Sequence, residues 1–218
     1  MSFGPGVEIE SCASGGARVD LGILARTDRV WASDTNEALK RQTIQRWTGL
    51  LLPPELIGAH VGPPRSHTTG RVHDLSFRVA TALFESFGFE WDLTQTAPDE
   101  RRQLAEAVSA YKRLRGLLHA GDIVHGDVPD PSARLHGVAA HNGTAAVFAY
   151  VQLTWSPLER SSPVALPGLD PERRYDARVL DVAGGPRVLQ RTASPWLTNG
   201  SLQLSGQVLR TVGLALPV

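Results

Sequence analysis

The sequence has little of the material that several large classes of protein require. Cys12 is the single cysteine among 218 residues, which excludes an internal disulfide framework. Basic and acidic residues number 22 each, a balance that argues against nucleic acid or an anionic membrane as the main partner. No apolar run is long enough to span a bilayer. The first ten residues also lack the basic and apolar segments of a signal peptide, so a cytoplasmic protein is expected.

The residues that are present suit a chain of one or two globular domains. Apolar residues make up 42% of the sequence and charged residues 20%. Up to residue 121, short apolar runs alternate with helical patterns. From residue 122 onward, short alternating runs are separated by Gly, Pro and Asp. This change of pattern predicts an α/β domain over 1–121 and an all-β domain over 122–218, the latter an antiparallel β-sandwich.

The stretch from Glu8 to Asp34 indicates where chemistry would take place. Residues 7–12 and 29–34 both read as short strands, and each ends in a polar residue before a helical or glycine-rich segment. A strand, a polar tip and a helix, repeated, form the unit of a parallel sheet. Function in such sheets gathers at the carboxyl ends of the strands, which are here Cys12 and Asp34.

Two more units of this kind follow along the chain. A third strand is predicted over 56–61, with a helix over 74–87 that Gly88 ends. A fourth strand is predicted over 89–93, and the helix over 98–118 has Thr96 as its expected cap. In the second domain, strands are predicted over 145–153, 174–180, 188–192, 202–204 and 208–216. Trp155 and Trp196 are expected to pack in the core or at an interface.

The residues alone leave alternatives open at the polar positions. Asp34 precedes a helical pattern over 36–47, and an aspartate in that place is more often an N-cap than a catalytic group. Glu90 and Asp92 would share one face of a strand as a carboxylate pair, although such groups more often cap helices or pair with arginines. His60 and His67 lack metal-ligand spacing, so neither a metal nor a cofactor is expected.

Several motifs together are similar to the catalytic region of family-36 glycoside hydrolases, the microbial α-galactosidases. They are ESCASGGARVDLGIL, VWASDTNEALKRQ, GAHVGPP, TGR and FEWDL. The resemblance implies the C-terminal half of a (β/α)8 TIM barrel, about strands five to eight, followed by a C-terminal β-sandwich domain.

The resemblance also implies roles for particular residues. Asp34 would be the general acid/base of a retaining hydrolysis of terminal α-D-galactosyl residues from oligosaccharides. The implied substrate-binding residues are Cys12, Ser14, Gly15, Gly16 and Arg18. Glu37 departs from the commoner family pattern, Ser-Asp-x-x-Asp, and leaves Thr35 or Asn36 to cap the following helix.

The nucleophile that the resemblance requires does not occur in this sequence. In the family it lies in a Lys-Trp-Asp-x-Asn motif upstream of the cysteine strand. The one Trp-Asp pair here, Trp91-Asp92, lacks the flanking lysine and asparagine. The expectation is therefore a C-terminal portion of an α-galactosidase that is inactive alone. The alternatives are a non-catalytic sugar-binding or partner-dependent protein, and one half of a split enzyme. Open sheet edges predict a homo-oligomer or a second chain that supplies the missing barrel half.

Overall fold

A computed structural model describes residues 6–12, 19–158, 162–184 and 194–216. The chain divides into two compact units, Met1–Arg113 and Leu114–Val218, with the border inside a long helix. Within the described ranges, no helix is both long and apolar enough to cross a membrane.

The first unit alternates strands and helices along the chain. The elements are β1 (Glu10–Cys12), α1 (Leu21–Leu24), β2 (Arg29–Trp31), α2 (Ala38–Thr48), β3 (Gly58–Val61), α3 (Leu75–Ala82), β4 (Ser86–Phe89) and α4 (Pro98–Leu118). β1 pairs with β2, and β3 with β4, both in parallel. A parallel bridge between Val30 and Ile57 places β3 beside β2. Four parallel strands therefore lie side by side in chain order.

The two faces of these strands differ in chemistry. Val30 and Ile57 are completely buried, and they pack with Leu52 against partly buried apolar side chains that include Ile23 of α1. Glu10 and Trp31 lie on the opposite face, which is polar. Side chains alternate between the faces of a strand, and this alternation separates the apolar layer from the polar one.

Two helix caps differ from the sequence prediction. α2 begins at Ala38 with Glu37 as its N-cap, so the expected cap at Thr35 or Asn36 is wrong. α4 covers the predicted residues 98–118, but Thr96 does not cap it in the way expected. The Thr96 hydroxyl is buried without a hydrogen-bond partner among the described residues.

Gly88 does not end a helix, and the fourth strand begins earlier than predicted. α3 ends at Ala82, and Gly88 lies inside β4, opposite His60 in the parallel register. A Cβ atom at position 88 would lie 2.7 Å from Cδ2 of His60. The glycine is therefore needed for the close approach of an imidazole ring, a tertiary reason that resembles a helix stop in the local sequence.

The described part of the second unit contains three antiparallel sheets and two short helices. β5 (Asp122–Gly126), β6 (Ala133–Ala139) and β7 (Ala146–Gln152) form a three-stranded sheet, β8 (Pro163–Val164) pairs with β11 (Leu214–Ala215), and β9 (Arg174–Ala177) pairs with β10 (Leu202–Ser205). The helices are α5 (Pro195–Asn199) and α6 (Gly206–Thr211). Its buried apolar cluster consists of Leu135, Val164, Leu166, Leu169, Leu209 and Leu214.

The predicted strands of this unit are confirmed at β7, β9 and β10 and wrong at one place. Residues 208–216 begin as α6, because the Ser205 hydroxyl accepts a hydrogen bond from the Val208 amide and starts a helix. β5 and β6 were not predicted. The predicted strand over 188–192 lies outside the described residues.

The two tryptophans of this unit have different surroundings. Trp155 is 93% exposed, so it does not pack in the core, and its packing at an interface stays a prediction. Trp196 packs against the buried apolar cluster and donates its indole N–H to the Ala215 carbonyl at 3.1 Å.

Candidate functional site

Cys12 and Asp34 meet at the carboxyl ends of β1 and β2. The Cys12 thiol donates to Oδ1 of Asp34 over 3.4 Å, and both residues are exposed. The parallel register causes this meeting, because Cys12 lies opposite Trp31, three residues before Asp34. The structure thus brings together the two predicted site residues that it describes. The other four, Ser14, Gly15, Gly16 and Arg18, lie outside the described residues.

Asp34 is not the N-cap of the helix that follows it. That role belongs to Glu37, whose Oε2 accepts a hydrogen bond from the Lys40 amide at 3.0 Å. The capping alternative for Asp34 is therefore wrong. An exposed carboxylate beside a thiol, outside the helix cap, remains available to a ligand at this edge of the sheet.

Glu37 also connects the start of α2 to the segment that follows β3. Its side chain is completely buried, and its carboxylate contacts Nε2 of His73 and lies 3.5 Å from Nη1 of Arg71. Buried carboxylates are stable only when paired in this way. The Glu37 carboxylate thus has three partners, counting the Lys40 amide.

Arg41 reaches back from α2 to the same loop. Its Nη2 donates to the Ser33 carbonyl at 2.6 Å, and its guanidinium carbon lies 3.7 Å from the centre of the Trp31 ring. The residue is only 2% exposed. Burial lowers the pKa of Arg41 to about 10, and this effect is opposed by the charges of Glu85, Glu90, Glu10 and Asp34.

A ring stack and a carboxyl group lie beside Trp31 on the polar face of the strands. The Trp31 and His60 rings stack with centres 4.4 Å apart, and Nε2 of His60 lies 3.7 Å from Oε2 of Glu10. Burial raises the pKa of Glu10, against the charges of Arg29 and Arg41, with a further rise from Glu90. Burial lowers the pKa of His60, as do the same two arginines. Both shifts favour the neutral groups, so this contact is polar packing more than an ion pair.

A small cavity lies among residues of α2, β3 and α3. Its empty space measures about 360 Å³, open solvent included. The side chains that line it include Asn36, Glu37, Arg41, Gln45, His60 and Arg78. Asn36 Nδ2 and the Nε and Nη1 atoms of Arg41 are buried without hydrogen-bond partners among the described residues.

The second carboxylate candidate, Asp92, serves a structural contact. It caps the short 3₁₀ helix Leu93–Gln95 and accepts hydrogen bonds from the Thr94 hydroxyl at 2.6 Å and the Thr94 amide at 3.0 Å. These two bonds lower the pKa of Asp92. In the part of the chain that the structure describes, no three His, Cys, Asp or Glu side chains are grouped so as to hold a metal ion.

Sequence reasoning named Glu37 only as a departure from the Ser-Asp-x-x-Asp pattern, and it did not find Arg41 or His73 as parts of this site. Arg41 and Glu37 are four residues apart and thus neighbours on the helix surface. That spacing was the one available signal. The spacing of Glu37 and Arg41 is the same whether the two side chains are buried or exposed to solvent. The sequence therefore does not tell the two cases apart.

Family models cover both units of the chain. Residues 2–121 match the family described as Melibiase, and residues 135–218 match the family described as Glycosyl hydrolase family 36 C-terminal domain. Similar curated proteins include an alpha-galactosidase of Escherichia coli, 40% identical over 98% of this chain and 31% of the relative. Alpha-galactosidase C of Emericella nidulans is 36% identical over 78% of this chain and 23% of the relative. The chain spans a third or less of the length of these relatives.

Solved structures give the same result for the fold. A variant of the GH36 alpha-galactosidase AgaA from Geobacillus stearothermophilus, in complex with 1-deoxygalactonojirimycin, superposes with a TM-score of 0.79 at 28% identity, over 96% of this chain and 26% of that one. The galactosidase domain of the alpha-galactosidase-sucrose kinase AgaSK superposes with a TM-score of 0.80 at 26% identity, over 98% of this chain and 27% of that one. A second AgaA variant was solved in complex with raffinose.

Proposed function

We propose that this chain, which belongs to glycoside hydrolase family 36, the melibiase family, carries the general acid/base part of a retaining α-galactosidase active site. The observation that carries the proposal is the meeting of Cys12 Sγ and Asp34 Oδ1, 3.4 Å apart, at the ends of adjacent parallel strands. Asp34 is exposed there and is not used as a helix cap.

The proposed reaction uses two carboxylates that flank the glycosidic bond, about 5–5.5 Å apart in retaining enzymes. A nucleophilic carboxylate attacks the anomeric carbon while Asp34 protonates the departing glycosidic oxygen. Asp34 then takes a proton from the water that hydrolyses the glycosyl-enzyme. The nucleophile belongs to residues outside the 218 of this sequence, which contain no Lys-Trp-Asp-x-Asn motif.

We assign Cys12 to contact with the galactose ring, because its exposed thiol adjoins the acid/base. The substrate class is α-galactoside oligosaccharides, which is the class of the raffinose and stachyose bound to AgaA variants. The turn after β1 supplies further proposed contacts at Ser14, Gly15, Gly16 and Arg18.

The finer architecture is part of the same proposal. Four parallel strands in chain order, each followed by a helix or helical turn, support half of a (β/α)8 barrel over 1–121. Antiparallel pairings support a β-sandwich over 122–218. Half a barrel needs a second copy or another chain segment to cover its strands. Large apolar side chains that are exposed in the first unit, such as Leu21 and Leu51, agree with such a partner.

The experiment that tests the activity is a chimera. The E. coli relative keeps its own sequence except for the region that this chain matches, which is replaced by this chain. We expect hydrolysis of melibiose and of aryl α-galactosides. Asp34→Ala should lower the rate on melibiose by about 10²–10⁴-fold. Azide should restore turnover of an aryl galactoside by that variant and yield the α-galactosyl azide.

Two results would oppose the proposal. A folded chimera without activity would show that this chain cannot complete the site. A chimera that is active but indifferent to Asp34→Ala would show that the acid/base lies elsewhere. A sugar-binding role is favoured by the missing nucleophile motif, and it predicts that the 218-residue chain binds galactose without hydrolysing aryl galactosides.

A further inference from the structure

We propose that Arg41 is a positioning residue that sets the place of Asp34 by holding the backbone of the loop between β2 and α2. The inference rests on the proposed function, because it assigns Arg41 a part in the acid/base chemistry of Asp34. It concerns a side chain that does not itself touch substrate.

The loop is held on both sides of Asp34 through Ser33. The Ser33 carbonyl accepts from Nη2 of Arg41 at 2.6 Å, and the Ser33 hydroxyl accepts from the Thr35 amide at 3.2 Å. Asp34 lies between these two bonds and has its own contact with Cys12. Loss of the arginine bond would therefore free the residue immediately before the acid/base.

Arg41 itself is fixed on the strand from which the loop leaves. Its Cζ lies 3.7 Å from the Trp31 ring centre, and Trp31 is stacked in turn on His60. A planar guanidinium can stack and donate a hydrogen bond at the same time, which a lysine ammonium does less well. Arg41 thus fixes the loop relative to two strands, β2 through Trp31 and β3 through His60.

This arrangement is costly for stability, which argues for a functional reason. Arg41 is 2% exposed, and its Nε and Nη1 lack partners among the described residues. Each buried donor without a partner carries a penalty of roughly 1–3 kcal/mol. Asp34 is the weakest of the four carboxylates that act on the charge of Arg41. Arg41 therefore acts on Asp34 through the Ser33 carbonyl and only slightly through direct attraction.

Arg78 provides a matched control in the same unit. It extends from α3, is 5% exposed, donates from Nη1 to the Gly62 carbonyl at 2.6 Å, and lies 4.8 Å from the Trp91 ring. It thus holds the residue after β3 in the way that Arg41 holds the loop after β2. The two arginines hold different loops, and Asp34 is on one loop only. Arg78 has two further contacts, to the His73 carbonyl at 3.2 Å and to Oε1 of Glu100 at 3.0 Å.

The first test uses the 218-residue chain and needs no activity. In hydrogen exchange followed by mass spectrometry, Arg41→Met should speed exchange at residues 33–36 by about tenfold or more and leave residues 62–66 unchanged. Arg78→Met should do the reverse. Equal acceleration across the unit, or none at residues 33–36, would overturn the positioning role.

The second test uses the chimera and separates acid catalysis from general damage. The leaving group of melibiose is a sugar, which departs only when it receives a proton. The leaving group of 2,4-dinitrophenyl α-galactoside is a phenolate, which departs without one. Arg41→Met should lower kcat/KM for melibiose by roughly 10²-fold, the cost of an acid displaced by about 1 Å, and lower it far less for the dinitrophenyl substrate. Arg41→Lys should lie between wild type and Arg41→Met.

The control and the opposing results are equally defined. Arg78→Met should lower kcat/KM for melibiose and for the dinitrophenyl substrate by the same factor. If Arg41→Met lowers kcat/KM equally for the two substrates, Arg41 has only a structural role and the inference is overturned. An inactive wild-type chimera would refute the proposed function, while the exchange experiment would still decide whether Arg41 holds the loop.

Discussion

The thiol of Cys12 donates to the carboxylate of Asp34 across the ends of two parallel strands, although 22 residues separate them in the chain. The contact depends on the register that places Cys12 opposite Trp31. It makes the single cysteine of the sequence a chemical reporter on the carboxylate that we propose as acid/base.

The first prediction concerns alkylation of Cys12. One thiol per chain should react with iodoacetamide without denaturant, because Cys12 is exposed. In the chimera, where the proposed site is complete, galactose should slow the reaction of Cys12, since the sugar is proposed to lie on this thiol. At a galactose concentration equal to its Kd the rate should be roughly halved. Mass spectrometry of the labelled chain measures both effects.

Two controls accompany this labelling. Cys12→Ser should take up no label, and glucose, which differs from galactose at one hydroxyl, should protect little. Identical rates in galactose and glucose would remove Cys12 from the sugar site.

The second prediction concerns Gly58, which leaves space for Glu10 and Trp31 on the polar face of the strands. A Cβ atom at Gly58 would lie 2.9 Å from Cδ of Glu10 and 3.3 Å from Cε3 of Trp31. Gly58→Ala must move the carboxylate end of the Glu10 side chain and shift the Trp31 ring slightly, so it should cost about 1 kcal/mol of unfolding free energy. Urea unfolding followed by tryptophan fluorescence measures the loss.

Gly116 supplies the opposite case for the same substitution. It is exposed within α4, and a Cβ there would meet nothing within 4 Å. Gly116→Ala should therefore stabilise the chain by about 0.5–1 kcal/mol, the difference in helix propensity. A stabilising effect at Gly58 would contradict the packing described here.

The third prediction concerns Glu85 and pH. Burial raises its pKa to about 8 from 4.5, although the Gln45 amide, which donates to Oε2 at 2.8 Å, and Arg41 oppose the rise. The folded state therefore holds the proton more tightly than the unfolded state does. The stability from this proton is complete below about pH 4.5 and is lost as the pH rises to about 8.

Glu85→Gln removes this titration and keeps an acceptor for Gln45. Relative to wild type, the variant should gain stability as the pH rises from about 5 to about 8, by up to about 4 kcal/mol. Denaturant midpoints of both proteins at each pH measure the difference. Parallel stability curves across this range would show that Glu85 is already ionised in the folded protein.

The sequence alone was enough for the order of strands and helices in the first unit and for the approach of Cys12 to Asp34. Both follow from local periodicity and from the rule that parallel strands end at one edge of their sheet. The helix over 98–118 was predicted to the residue, because its apolar face and Pro98 are local signals. The motifs also indicated the family, which the comparisons confirm.

Local patterns were misleading where a distant residue decides the conformation. Gly88 reads as a helix stop, yet it lies in β4 because the His60 ring occupies the place of a side chain. Thr35 and Asn36 read as caps, yet Glu37 takes that role because His73 and Arg71 hold its carboxylate. Such competing signals cannot be ranked without the partners in space.

What the sequence determined by itself is therefore the kind of most elements in the first unit and the edge of the sheet where the polar residues gather. What only the tertiary structure decided is which side chains hold that edge. Arg41 is one helical arginine among many in the sequence. It acts on Ser33 and Trp31 because strand register and helix packing bring it there. Those contacts depend on how the elements pack, and the periodicity of the sequence does not predict them.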